Sequence, residues 1–248
     1  MATYVIQQIV LLGEILITGG LSLAALSRWP EFGSFAMTLM KDGGDSIQIP
    51  CDEVIFGYEK IIYVMHTNVL ALLKFEMVGK PHLCTEIHDI EEWDTFGCFD
   101  PGLTFNLNEG FESYIVKRLR EGNDRIYFMP HNSNMHWILS FIWDGDIYIL
   151  NTLSPPNHFP ALEKALTGTV KSFNIQTGKG NKMPKVKHLL GSPKQPGVHE
   201  CGYMVMRYME DIIADKEFTF LKKLECDESK QLQYGGSGGG ASFGSRLY

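Results

Sequence analysis

The sequence has five cysteines in 248 residues, with no CxxC pair among them. An odd, scattered set argues against a disulfide scaffold and for a reducing compartment, where one thiol can do chemistry. Cys51, Cys84 and Cys98 share the upstream half with His66, His82 and His88, but no pair has zinc-ligand spacing, so no metal is expected. Positive charge is also in short supply. With 22 Lys and Arg against 29 Asp and Glu, the net charge of -7 disfavours a general nucleic-acid binder and attachment to anionic lipid. No internal repeat is present. The longest apolar stretch, Ile9–Leu26, is broken by Gly13, Glu14, Gly19 and Gly20 and has no basic residue before it. A secretory signal is therefore not expected, and Glu14 near the middle would be costly in lipid. A buried helix or strand pair is the expectation there, with no membrane role.

What is present suffices for a globular core. Hydrophobic residues make up 44% and charged residues 21%, close to ordinary soluble proteins. At about 100–200 residues per domain, the length allows one large domain or two small ones. The run Gly235-Gly236-Ser237-Gly238-Gly239-Gly240 is a flexible spacer by composition. Residues 235–248 read as an engineered linker followed by a tail or tethered peptide, and are set apart from the fold.

The body of the chain alternates between element types. Val54–Met65 is rich in β-branched and aromatic residues, and a helix-like stretch covers Asn68–Met77. Residues 80–110 carry much Pro, Gly, Asp and Asn and are expected to be loops with short elements. Phe111, Tyr114, Ile115 and Leu119 fall at helical spacing, and Gly122-Asn123-Asp124 stops that helix. Arg125–Met129 is a short strand. Trp137–Trp143 and Ile147–Leu150 form a hairpin about Asp144-Gly145. Phe159–Phe173 is a helix, Val186–Leu190 a strand, and a last helix starts near Cys201 with Tyr203, Val205, Met206, Met209 and Ile213 along it. Met204, Met206 and Met209 are a core-facing edge of that helix.

Four positions in this second half can carry chemistry. Cys201 stands at the predicted start of the last helix, where unpaired N–H groups and the helix dipole favour a thiolate; a buried structural cysteine is the plain alternative. His136 stands where loop becomes strand, positioned to take a proton from a nucleophile on a neighbouring helix. It could equally be a satisfied polar residue. The hairpin register brings Asn151 beside His136, where its amide oxygen can accept from the imidazole; the alternative is an ordinary strand-end Asn. Gln195 can donate to a developing oxyanion together with the Cys201 backbone N–H, or be a surface Gln. His199 is too tightly tethered to Cys201 to reach a productive angle. Lys179, Lys182, Lys185 and Lys187 are expected to be a solvated loop.

Taken together, these residues resemble a known family. The run from about Arg125 to Ile213 is similar to the catalytic domain of the ubiquitin-like-protein (SUMO) proteases, most closely to the plant transposon-associated branch. The resemblance is carried by His136-Trp137-Ile138-Leu139, by Ile147-Tyr148-Ile149-Leu150-Asn151, and by Gln195-Pro196-Gly197 with Glu200-Cys201-Gly202-Tyr203. Ile55-Phe56-Gly57-Tyr58-Glu59-Lys60 looks like the upstream part of that branch. The resemblance implies an α+β, papain-like cysteine protease fold with a central mixed or antiparallel sheet and a nucleophile-bearing helix. Residues 1–110 would be the N-terminal part of that domain and 111–225 its catalytic core. It also implies that Cys201 attacks the carbonyl after a Gly-Gly terminus and that His136 is base and acid. Gln195 would line the oxyanion hole, and Trp137 would cover a channel admitting little beyond glycine. No cofactor is implied, the partner is a SUMO-like or other ubiquitin-like protein, and the location is nuclear or cytoplasmic. The family usually has Asp at the position of Asn151. An amide orients the histidine without stabilising its cation, though Cys–His–Asn sets do work in papain-like enzymes. The second reading is therefore a pseudoprotease that binds a protein or peptide without cutting it.

Overall fold

The computed structural model describes residues 46–51, 53–65, 67–68, 94–105, 107, 109–122, 124–153, 158–189, 194–195, 200–215 and 219. The apolar stretch Ile9–Leu26, nearly all of the expected helix Asn68–Met77, His199 and the Gly/Ser tail lie outside them. In chain order the elements are β1 (Ser46–Cys51), α1 (Glu53–Phe56), β2 (Lys60–Met65), β3 (Phe96–Cys98), α2 (Pro101–Thr104), α3 (Glu109–Glu121), β4 (Ile126–Ser133), β5 (His136–Trp143), β6 (Asp146–Leu150), α4 (Pro160–Gln176), β7 (Val186–His188) and α5 (Cys201–Ala214). No helix among the described residues is long and apolar enough to cross a membrane.

Five strands form a mixed sheet in the order β3-β4-β5-β6-β7, parallel at its two edges and antiparallel in the middle. The period-two alternation of its strands divides the core in two. Trp137, Leu139 and Phe141 of β5 and Tyr148 and Leu150 of β6 pack with α5 and with Ile49, Ile62 and Val64 of the small β1–β2 ladder. Ile138 and Ile142 of β5 and Ile147 and Ile149 of β6 point the other way, against Phe111 and Ile115 of α3 and Leu162, Leu166 and Val170 of α4. Helix α5 buries Tyr203, Met204, Val205, Met206, Tyr208, Met209 and Ile212, so its methionines are core residues as expected. A helix apolar on most sides is one enclosed by neighbours.

Two local differences from the sequence reading have physical causes. The segment beginning at Val54 is not one strand: α1 takes Glu53–Phe56, and Gly57 then turns the chain at φ 80° into β2. Strand β4 does not stop before Pro130 but runs on to Ser133. Its parallel partner β3 reaches only Phe128, so Pro130 lies where β4 has β5 on one side alone, and the missing N–H is tolerated at such an edge. The stretch expected to be largely loop, 80–110, does contain short elements, β3 and α2.

Two buried polar side chains tie the upstream elements to this sheet. Arg118 of α3 is 1% exposed. Its Nη2 donates to the carbonyls of Val54 at 3.2 Å, Ile55 at 2.8 Å and Cys98 at 3.4 Å, and Nη1 pairs with Glu121. The guanidinium thus caps carbonyls that the short helix α1 cannot satisfy itself. Asp100 accepts from the Tyr58 hydroxyl, from Lys60 Nζ at 2.7 Å and from the Gly102 N–H at 2.7 Å, the last being the N-cap of α2. Gly97 makes room for this junction, since a Cβ there would lie 2.4 Å from the Tyr127 ring.

Removing a group that satisfies several buried acceptors leaves each of them unpaired. Arg118→Leu is therefore expected to lower the unfolding free energy by about 3–5 kcal/mol, the range for breaking one side of a buried charged network. Urea titration followed by tryptophan fluorescence measures this, and a loss under about 1 kcal/mol would contradict it.

Candidate active site

The site is assembled at the end of the β5–β6 hairpin remote from its turn. Asp144 and Gly145 have φ of 49° and 74°, the left-handed pair of a type I′ connection. This fixes the ladder, which runs from Trp143 opposite Asp146 to Leu139 opposite Leu150. Asn151 follows directly, one residue past Leu150 and therefore level with Ile138 rather than with His136. The two side chains nevertheless share a face, and His136 Nε2 meets Asn151 Oδ1 at 3.0 Å. The expected partnership forms on the diagonal instead of straight across.

The Asn151 amide is itself held. Its Oδ1 also accepts the Leu153 N–H at 3.0 Å. An oxygen accepting there makes His136 Nε2 the donor, so the imidazole is the Nε2–H tautomer and Nδ1 carries the basic lone pair. The ring stacks on Phe159, with centroids 6.4 Å apart and planes at 14°. Burial pushes the His136 pKa below its ordinary 6.5, and the bond to Asn151 partly opposes that shift. His136 opens onto a cleft of about 880 Å³ that it shares with His131, Asn132, His158 and Phe159.

Gln195 sits next to the same strand end. Its backbone N–H donates to the Thr152 carbonyl at 3.1 Å, and its Oε1 accepts from the Thr152 hydroxyl. With the carboxamide oxygen on Thr152, the amide nitrogen is the end that faces other partners, as a donor to an oxyanion requires. Thr152 was not singled out in the sequence, nor was Lys194, whose Nζ donates to the Asn151 carbonyl at 3.0 Å. Burial lowers the Lys194 pKa. Their positions next to quoted residues, Lys194 directly before Gln195 and Thr152 directly after Asn151, were the available signal.

Cys201 is the first residue of α5, and α5 packs along β5. Backbone groups at Trp137, the residue after His136, and at the helix start around Gly202 face its sulfur and lower the thiol pKa as hydrogen bonds to a thiolate do. Those bonds favour a thiolate, as the helix start leads one to expect. Burial outweighs them, however, and with a contribution from Glu200 it raises the thiol pKa above 9.0. Cys201 is 1% exposed and Trp137 4%, both in the same hydrophobic cluster. The helix start favours a thiolate, whereas burial of Cys201 acts against it and raises the thiol pKa. Among the described residues the structure joins His136 to Asn151 and Gln195 to Thr152. It sets Cys201 against the neighbour of His136 without a hydrogen bond between sulfur and imidazole.

Beside His136 the turn from β4 is strained. Asn134 and Met135 have φ of 52° and 65°, and Asn132 Oδ1 accepts the Met135 N–H at 3.1 Å. Asn tolerates that region, whereas Met does so at a cost of roughly 1–2 kcal/mol.

Comparison of the sequence with protein-family models and with curated proteins finds no match. Solved structures do match. A de-sumoylating protease superposes with a TM-score of 0.53 at 13% identity, over 75% of this chain and 80% of its own. The SUMO protease Ulp1 with its catalytic cysteine oxidised to a sulfenic acid gives 0.52 at 16% identity, over 83% and 89%. Ulp1 with that cysteine oxidised to a sulfinic acid gives 0.50 at 19% identity, over 69% and 80%. The chain therefore has the α+β fold of the Ulp1-type SUMO proteases, with the mixed central sheet and the cysteine-bearing helix that the sequence motifs led us to expect.

Proposed function

We propose that this protein is a cysteine peptidase or isopeptidase that cleaves after the Gly-Gly terminus of a SUMO-like modifier. The observation that carries the proposal is the 3.0 Å bond between His136 and Asn151, on the strand against which α5 sets Cys201. The fold likeness to SUMO proteases supports the substrate class. The plant transposon-associated branch rests on the quoted motifs alone. A nuclear or cytosolic location follows from the need to keep the Cys201 thiol reduced.

In this reading His136 Nδ1 takes the Cys201 proton while Nε2–H stays on Asn151. The thiolate adds to the glycine carbonyl, and the oxyanion is held by the Gln195 amide nitrogen and the Cys201 backbone N–H. His136 then returns the proton to the departing amine, which leaves a thioester. Water, deprotonated by the same ring, hydrolyses that thioester and frees the thiol. The channel under Trp137 would pass glycine and reject larger side chains. The resting thiol is sealed, so substrate binding must move the residues over the sulfur before it can react.

That sealing also favours the second reading, a pseudoprotease that binds a ubiquitin-like protein without cutting it. The two separate cleanly. A SUMO-like modifier ending in a glycine vinyl sulfone is expected to add covalently to Cys201, seen as a mass increase of the intact chain. Cys201→Ser is expected to give none, and His136→Ala is expected to slow turnover of a SUMO-like precursor by about 10²–10⁴-fold. A folded wild-type chain that binds the probe but never forms the adduct would establish the pseudoprotease.

The pH profile follows from the buried imidazole. Only neutral His136 accepts a proton, and its pKa lies below 6.5. Hence kcat/KM is expected to rise with an acid midpoint below 6.5 and stay level through neutrality. Asn151→Asp adds a carboxylate that stabilises the imidazolium, so its midpoint is expected to move up. A wild-type midpoint above 6.5 would count against His136 as the base.

A further inference from the structure

Three side chains that sequence spacing separates are brought together behind the His136 cleft. His158 precedes α4, Glu163 lies in its first turn, and His188 ends β7. One ligand atom from each lies within 4.8 Å of the other two. His188 Nε2 stands 3.4 Å from Glu163 Oε1, and the His158 and His188 rings meet edge to face at 5.7 Å. The Glu163 side chain is half-buried, and its Oε1 is shielded from solvent and makes no hydrogen bond beyond that ion-pair contact with His188. A buried carboxylate oxygen in that condition carries a desolvation cost that a cation would offset.

We infer that His158, Glu163 and His188 form a binding site for a divalent transition ion of the zinc type. Two imidazoles and one carboxylate are a donor set suited to zinc, with ligand bonds of about 2.0–2.2 Å. Tetrahedral bonds of that length place ligand atoms about 3.4 Å apart. The His188–Glu163 separation already matches that distance, so only modest side-chain rotation would complete the set. Three protein ligands leave one position for water. The ligands come from two stretches of chain, residues 158–163 at the start of α4 and His188 on β7, so the ion would tie the start of α4 to the edge of the sheet. Phe159, the residue after His158, is the one stacked on His136. Metal binding would therefore steady one wall of the His136 cleft. The inference stands whether or not the protein is a protease.

The test uses the full chain carrying Cys201→Ser, so that zinc does not ligate the candidate nucleophile, and zinc chloride alone as the probe. Calorimetry is expected to show a zinc site whose Kd weakens at least tenfold in each of His158→Ala, His188→Ala and Glu163→Gln. Glu163→Gln keeps shape and fold while removing the charge. Electron paramagnetic resonance of the copper(II)-loaded chain is expected to show two nitrogen ligands, falling to one in His188→Ala. An affinity unchanged in any of the three variants, or a copper spectrum without nitrogen coupling, would overturn the assignment and leave a His188–Glu163 ion pair.

Discussion

The ladder between β5 and β6 is pinned at one end by the turn Asp144-Gly145, and everything at the other end inherits its register. A slip of β6 by one residue would send Asn151 to the opposite face and exchange the two hydrophobic sets of that strand. Such a slip would turn Ile147 and Ile149 toward the α5 side and Tyr148 and Leu150 toward α3 and α4. The cost of misplacing those side chains, each of which stabilises the fold by about 1.5–3 kcal/mol, is what holds the His136–Asn151 pair in place. The pair is a by-product of core packing, made useful by where the strands end.

The same core that aligns the candidate site encloses Cys201, the proposed nucleophile. A helix N-terminus favours an anion by about 0.3–1 kcal/mol, rising to about 2 in good geometry. Full burial can shift a titration by up to about 3–5 pKa units, each unit being about 1.36 kcal/mol. Burial therefore outweighs the helix start at Cys201 and raises its pKa, and burial also lowers that of His136. The structure holds Cys201 buried at the start of α5, with Asn151 fixing the His136 ring on the neighbouring strand end. An amide oxygen is enough to hold the ring in that orientation.

Upstream, buried polar groups do the joining that a thin core cannot. Arg118 and Asp100 collect carbonyls, hydroxyls and one ammonium from α1, β2, β3 and α2, and the apolar residues Phe56, Phe96 and Phe99 close over them. In the sequence Arg118 was simply one of the charges spaced along a helix, because helical periodicity reports which face is apolar and not which cation is enclosed. Thr152 and Lys194 escaped notice for a related reason. Their roles depend on partners about forty residues away in the chain.

Strands β5, β6 and β7, the hairpin turn, the two long helices α3 and α4 and the start of α5 could be read from the chain, because period-two and period-3.6 patterns and Asp-Gly turns are local. The pairing of His136 with Asn151 was legible too, since a two-residue turn leaves few registers. Folding alone decided the rest. It sealed Cys201, through contacts with Trp137 that no spacing reveals. It carried β4 past Pro130, because an edge forgives a missing N–H. It also gathered His158, Glu163 and His188, which share no motif. Periodicity records how a segment meets the core, while the depth of burial and the company of a polar group depend on what the other segments bring.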